Sequence, residues 1–175
     1  LEHLQSQTIK EICDTDWKDL TIERLPEIPD FTLLVGWTGQ VAITDSLIQA
    51  TEKKRKVATD SAFYKNFLKK SHAVVQSLKI AWNKQDIPAL QEGIRANRAL
   101  LNEFAKVMQL EIETPALQTL CDLVEQFGAC AKTSGAGGGD CGICFTQNET
   151  QRQQIETQWA KAQIQVLPLT IAEAW

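Results

Sequence analysis

Ala131-Lys-Thr-Ser-Gly-Ala-Gly-Gly-Gly-Asp-Cys-Gly-Ile-Cys-Phe145 decides how this chain is read, because four of its nine glycines fall between Ser134 and Asp140. Glycine takes positive φ without steric cost, so a loop this dense in glycine can turn successive amide N–H groups toward one point. The result is a concave site for an anion. The natural guest is a phosphate. Lys132 precedes the loop, and Thr133 and Ser134 add hydroxyl donors of the kind that supplement backbone contacts to phosphate oxygens. Asp140 closes it with a carboxylate suited to a magnesium ion, a hydroxyl or the loop itself. The phosphate- and substrate-contacting candidates are therefore Lys132, Ser134, Gly135, Ala136, Gly137, Gly138, Gly139 and Asp140. A glycine-rich hairpin that binds nothing is the plain alternative.

The flanks separate this loop from other phosphate loops. No lysine and Ser/Thr pair follows the last glycine, as a Walker A loop requires. A dinucleotide fingerprint needs a strand before the glycines and a helix after them. Here Ala129 to Thr133 and Cys141 to Phe145 both read as short strands, so the geometry is strand, loop, strand.

Outward from the loop, the remaining segments read as scaffold. Thr114-Pro115 has the order of an N-cap and a first-turn proline, and Gly128 stands where a glycine would end the helix that starts there. Asn148 with Gln151 resembles a capping box for a helix to about Ala162, and Ile164 to Leu169 alternates as a closing strand. Asp60 or Ser61 opens a long helix to about Lys84 with Phe63, Phe67, Val74, Leu78 and Trp82 on one face. Asp86 and Pro88 start the next, on which Leu90, Ile94, Leu101, Phe104 and Met108 form a buried stripe. A short helix is expected from Thr44 to about Lys56. Before it, Leu20 to Leu25 and Phe31 to Thr38 read as two strands, joined across Pro26 to Asp30 and expected to pair. Strands bracketing a run of helices predict an α+β fold, an antiparallel sheet of about four strands with helices on one face.

Composition narrows the class of function. A chain of 175 residues with 43% hydrophobic content can bury a core as one domain. Its net charge of −4 and dispersed cations argue against a nucleic-acid partner, and the basic run Glu52-Lys-Lys-Arg-Lys56 reads as the solvated end of a helix. No apolar stretch is long enough for a membrane helix, and Leu1 to Lys10 does not read as a signal peptide, so a cytoplasmic location is expected. The five cysteines, Cys13, Cys121, Cys130, Cys141 and Cys144, read as free thiols of a reducing compartment. Cys141 and Cys144 point to opposite faces of a strand, so no metal site is expected there. His3 and His72 have no acid or nucleophile nearby in sequence. Arg95 and Arg98, with Asn97 and Asn102, share one helix, for which a solvated surface is the default reading.

Taken together, Lys132-Thr-Ser-Gly-Ala-Gly-Gly-Gly-Asp-Cys-Gly-Ile143 resembles the third motif of the GHMP kinases, and its GGGDCGI ending is most similar to the bacterial phosphomevalonate kinase branch. Asp16-Trp17, the alternating Leu20 to Leu25, and Leu33-Leu-Val-Gly-Trp-Thr38 resemble the segment by which such kinases enter their C-terminal domain. The resemblance implies a ferredoxin-like C-terminal domain over residues 17–175, with residues 1–16 the end of an N-terminal domain or a linker. The family's first motif, its PxxxGLGSSAA-type motif and the segment supplying the catalytic aspartate are not found here. No catalytic residue is therefore expected in this chain, which would form one wall of a kinase site and be inactive alone.

The resemblance further implies ATP and Mg2+ as cofactors, with 5-phosphomevalonate and the N-terminal half as partners. Trp37, Thr38, Thr44 and Ser46 are secondary candidates. Trp37 is a core lid or part of a substrate wall, and Thr44 and Ser46 lie at an expected helix N-terminus, where the dipole favours anions. Two alternatives stand beside this reading: another GHMP small-molecule kinase acting on mevalonate or homoserine, and a non-catalytic module that binds a phosphorylated metabolite.

Overall fold

The structure is a computed structural model that describes residues 10–11, 22–29, 31–41, 62–135 and 137–169. Its elements run β1 (Thr32–Trp37), α1 (Ala62–Asn83), α2 (Ile87–Met108), α3 (Pro115–Glu125), β2 (Cys130–Thr133), β3 (Cys141–Thr146), α4 (Glu149–Lys161) and β4 (Gln165–Leu167). The four strands form one antiparallel sheet in the order β2-β3-β1-β4, which is the α+β arrangement that the order of elements predicts.

Local chemistry explains where the helices begin. Asp86 accepts the Ala89 N–H ahead of α2, Thr114 accepts the Leu117 N–H ahead of α3, and Asn148 accepts the Gln151 N–H ahead of α4. The Gln151 side chain reaches the Gln147 N–H, one residue before the donor that a capping box would use. Gly128, at φ 71°, turns the chain from α3 into β2.

The cross-strand register Ala131↔Cys144↔Leu34 puts these three side chains on one face of the sheet. They join Leu117, Leu120, Cys121 and Val124 of α3 and Ile155 and Trp159 of α4 in the main core. Trp159 is fully buried, and its indole N–H donates to the Leu120 carbonyl at 3.0 Å, so its one polar atom is satisfied. Gly36 and Gly142 face each other across β1 and β3 and make the socket for Leu120. A Cβ at Gly142 would lie 2.5 Å from Leu120 Cδ2, and one at Gly36 2.9 Å from Cδ1.

The opposite face carries Lys132, Ile143 and Phe145. Together with Leu78 and Trp82 of α1 and Leu90 and Ile94 of α2 they border a cavity of about 530 Å3. At its end Phe31 stacks on Phe145 with centroids 4.7 Å apart, and Trp82 stands edge-on to both. Phe104 of α2 turns toward Phe67 of α1, at 4.4 Å, so α2 has one face toward the sheet and another toward α1.

Three expectations are corrected. The helices do not all lie on one face of the sheet, because α3 and α4 pack against the Ala131, Cys144 and Leu34 face while α1 and α2 border the Lys132, Ile143 and Phe145 face. Ile22 to Leu25 form no strand and do not pair with β1, whose neighbours are β3 and β4. Glu23 instead pairs with Lys79 at 2.5 Å, and the Pro26 carbonyl accepts the Trp82 indole N–H at 2.7 Å, so this segment crosses α1. The closing strand covers Gln165–Leu167 and stops at Pro168, which has no N–H to donate to a ladder. The expected helix from Thr44 to Lys56, with its basic run, lies outside the described residues. Among the described residues, no helix is long and apolar enough to cross a membrane.

Candidate functional site

The glycine loop is the turn of the β2–β3 hairpin. The Ser134 N–H donates to the Cys141 carbonyl at 2.9 Å and closes it. Beyond that bond the backbone is left-handed at Gly135 (φ 70°), Gly137 (79°), Gly138 (82°), Gly139 (129°) and Asp140 (61°). Residues with a Cβ rarely sustain such a run, which is the physical reason for the glycine density.

Two neighbouring segments clamp the loop. The Gly138 N–H donates to the Ile112 carbonyl, in the α2–α3 connection, at 2.8 Å. Past the end of β1, the Asp140 N–H donates to the Gln40 carbonyl at 2.8 Å, and the Thr38 N–H donates to the Asp140 carbonyl at 2.9 Å. These bonds bring Thr38 beside the loop, and Trp37, half-buried, pairs with Cys141 in the sheet register. The N–H groups of Gly135, Gly137 and Gly139 donate to no acceptor among the described residues; Gly135 is exposed, whereas Gly137 and Gly139 are buried. Ala136, Thr44 and Ser46 lie outside the described residues.

Lys132 sits at the foot of the loop and lines the cavity on the sheet face. Its ammonium donates to the Thr133 carbonyl at 2.6 Å, and burial holds its pKa below the ordinary lysine value. The exposed Asp140 is the loop's one carboxylate, and it accepts a weak hydrogen bond from the Cys141 thiol at 3.6 Å. Among the described residues no group of three or more His, Cys, Asp or Glu could hold a metal ion.

Beside the loop's anchor lies a cluster that sequence spacing did not reveal. Arg98, for which sequence spacing predicts a solvated surface, has a side chain only 18% exposed that forks onto Glu113, itself 7% exposed, at 2.6 and 2.8 Å. The same guanidinium reaches Asp122 at 2.6 Å, and the Asn102 amide donates to Glu113 at 3.1 Å. Arg95 likewise pairs with Glu125 at 2.9 Å instead of standing free in solvent. The partners come from α3 and from the α2–α3 connection, far along the chain, so no local pattern announces them.

Residues 75–165 match the family described as GHMP kinases C terminal. The chain belongs to the GHMP kinases. The matched span runs from the middle of α1 to the start of β4 and so contains the glycine loop. A phosphomevalonate kinase of Streptomyces sp. (strain CL190) is 37% identical over 158 residues, covering 89% of this chain and 42% of that protein. Two solved structures superpose over 95% of this chain and 46% of their own. A Lin0012 protein from Listeria innocua does so with a TM-score of 0.84 at 31% identity. Streptococcus pneumoniae phosphomevalonate kinase in complex with phosphomevalonate and AMPPNP gives 0.77 at 27%. The chain thus spans less than half the length of these relatives.

Proposed function

We propose that this chain is the C-terminal domain of an ATP-dependent phosphomevalonate kinase, which converts 5-phosphomevalonate and ATP to 5-diphosphomevalonate and ADP in isoprenoid synthesis. Residues 17–175 form that domain, and residues 1–16 lead from the N-terminal half. The observation that carries the reading is the clamped, left-handed glycine loop, found in a chain 37% identical to a phosphomevalonate kinase.

In this mechanism the amides of Gly135, Gly137 and Gly139 and the Ser134 hydroxyl hold phosphate oxygens of substrate or nucleotide while charge develops on the transferring group. Gly138 and Asp140 spend their own N–H groups on Ile112 and Gln40, and so hold the loop in shape. Because the donors are fixed beforehand, little reorganisation accompanies the reaction. Lys132 adds positive potential at the foot of the loop, and Trp37 and Thr38 form its flank, with Thr44 and Ser46 beyond. When bound, Mg2+ neutralises phosphate charge, and Asp140 is the loop carboxylate suited to face it. The general base and the remaining phosphate-binding groups belong to the N-terminal half, and the reaction takes place in the cytoplasm.

ADP release from ATP, Mg2+ and 5-phosphomevalonate, measured for this chain with and without a separately expressed N-terminal half, tests the reading. Turnover is expected only in the mixture. Turnover by this chain alone would overturn the assignment of catalysis to the other half, and a mixture that prefers mevalonate or homoserine would overturn the substrate.

A further inference from the structure

We infer that Arg98 and Glu113 are positioning residues for the glycine loop, acting through Ile112. The inference rests on the reading of that loop as a phosphate holder. Ile112 is the loop's seat: its carbonyl accepts the Gly138 N–H at 2.8 Å, and its backbone lies so close to Gly137 that a Cβ there would stand 2.4 Å from the same oxygen. A shift of the seat therefore shifts the loop. Ile112 is buried, so packing holds its side chain, and the adjoining polar cluster adds a directional constraint on its backbone. On one side the connection borders an open pocket of about 470 Å3 lined by Asn102, Ile112 and Gln118 among others, so close packing does not fix it there.

Glu113, next in the chain, is fixed from two helices. Both of its oxygens are taken by the Arg98 fork, Asn102 one turn along α2 adds a third bond, and Asp122 of α3 holds the guanidinium from the far side. A planar fork on a carboxylate constrains direction as well as distance, which a single-point ammonium contact does not. The following residue, Thr114, caps α3, so Ile112 lies two residues from the start of α3 and one residue from the carboxylate held by Arg98 and Asn102 of α2. An ion pair this sheltered contributes less to stability than its Coulomb attraction suggests, whereas its geometric demand is strict.

The test separates geometry from stability. Replacing the pair by apolar groups of similar size, Arg98→Met with Glu113→Leu, leaves no buried unpaired charge, since Asp122, which loses its cation, is exposed to water, and is expected to keep the melting temperature close to the parent's. Amide hydrogen exchange is then read at Gly138, with the Gln151 amide at the N-terminus of α4 as control, and kcat and KM for ATP are measured in the two-half mixture. The expected result is exchange at Gly138 faster by tenfold or more with Gln151 unchanged, and kcat/KM down by tenfold or more. Arg98→Lys, which keeps the charge and loses the fork, is expected to fall between parent and double variant. Unchanged protection at Gly138 overturns the inference, and so does equal acceleration at both amides, which would make the pair a support of the whole fold. Loosening at Gly138 without any change in kcat/KM upholds the positioning and sinks the phosphate reading of the loop.

Discussion

Gly137 lies against Ile112 so closely that an added Cβ would stand 2.4 Å from the Ile112 carbonyl oxygen, and at φ 79° its backbone already excludes most side chains. Gly135, at φ 70°, has open space around it. Gly137→Ala therefore combines backbone strain with a collision and is expected to cost at least about 2 kcal/mol, against about 1 kcal/mol for Gly135→Ala. Denaturant midpoints of the two variants check this, and equal losses would mean that the close approach to Ile112 contributes nothing.

The socket for Leu120 makes a second prediction. Gly142→Ala forces a methyl to within 2.5 Å of Leu120 Cδ2, and overpacking of this kind costs about 1 to 3 kcal/mol. Trimming the knob with Leu120→Val in the same background is expected to return part of that loss. A double-mutant cycle on thermal unfolding with no coupling would disprove the knob-and-socket account.

Trp159 is wholly buried and donates to Leu120 O at 3.0 Å. Trp159→Phe keeps most of the ring and removes the indole hydrogen bond, while Leu120 O stays inside α3, for an expected loss of about 1 kcal/mol from that bond. Trp159→Ala opens a cavity and is expected to lose about 3 to 5 kcal/mol. Urea titrations that place both variants near the parent would remove the indole from the list of core determinants.

Burial pushes the thiols of Cys121 and Cys130 up from 9.0 to about 12, and raises Cys144 further in the same direction. A group whose folded pKa lies above its unfolded value contributes stability that is complete below the unfolded pKa and is lost as pH rises toward the folded one. Stability is thus expected to fall between pH 9 and 12, by roughly 1 kcal/mol at pH 10 for each of Cys121 and Cys130. Lys132 works the other way, since burial lowers its pKa from 10.5 and raising the pH relieves that cost, but one amine opposes several thiols. Urea midpoints at pH 7.5 and pH 10 decide the sign, and a flat profile would contradict it.

The same burial orders the thiols by reactivity. Cys141 is partly exposed, whereas Cys121, Cys130 and Cys144 are buried. Alkylation of the native chain at pH 8 is expected to modify Cys141 before those three, with mass spectrometry of the peptides as the readout. Modification of Cys144 at the rate of Cys141 would show that the sheet opens locally.

What the sequence made legible was what short-range chemistry controls. The three capped starts at Asp86, Thr114 and Asn148 and the strand, loop, strand geometry around the glycines all depend on residues within a few positions of one another. Illegible were the relationships that span the chain. The alternation from Leu20 to Leu25 looks like a strand, but Ile22 to Leu25 answer to α1 through Glu23 and Lys79, and alternation carries no information about such a partner. Arg98 looked like an ordinary surface cation because Glu113 and Asp122 become its neighbours only once α2 and α3 pack. The glycines told that a tight loop exists, and nothing in them told that Ile112 would be its seat.

The strand order has a consequence in time. β1 lies between β3 and β4, so the strand nearest the start of the described chain must wait for two that are made near its end. On a ribosome the α1–α2 pair can form early, whereas β1 has no sheet partner until Cys141–Thr146 has emerged and gains its second only with Gln165–Leu167. Closing so long an intervening segment slows folding, and it leaves Leu34 and Val35 without cover in the meantime.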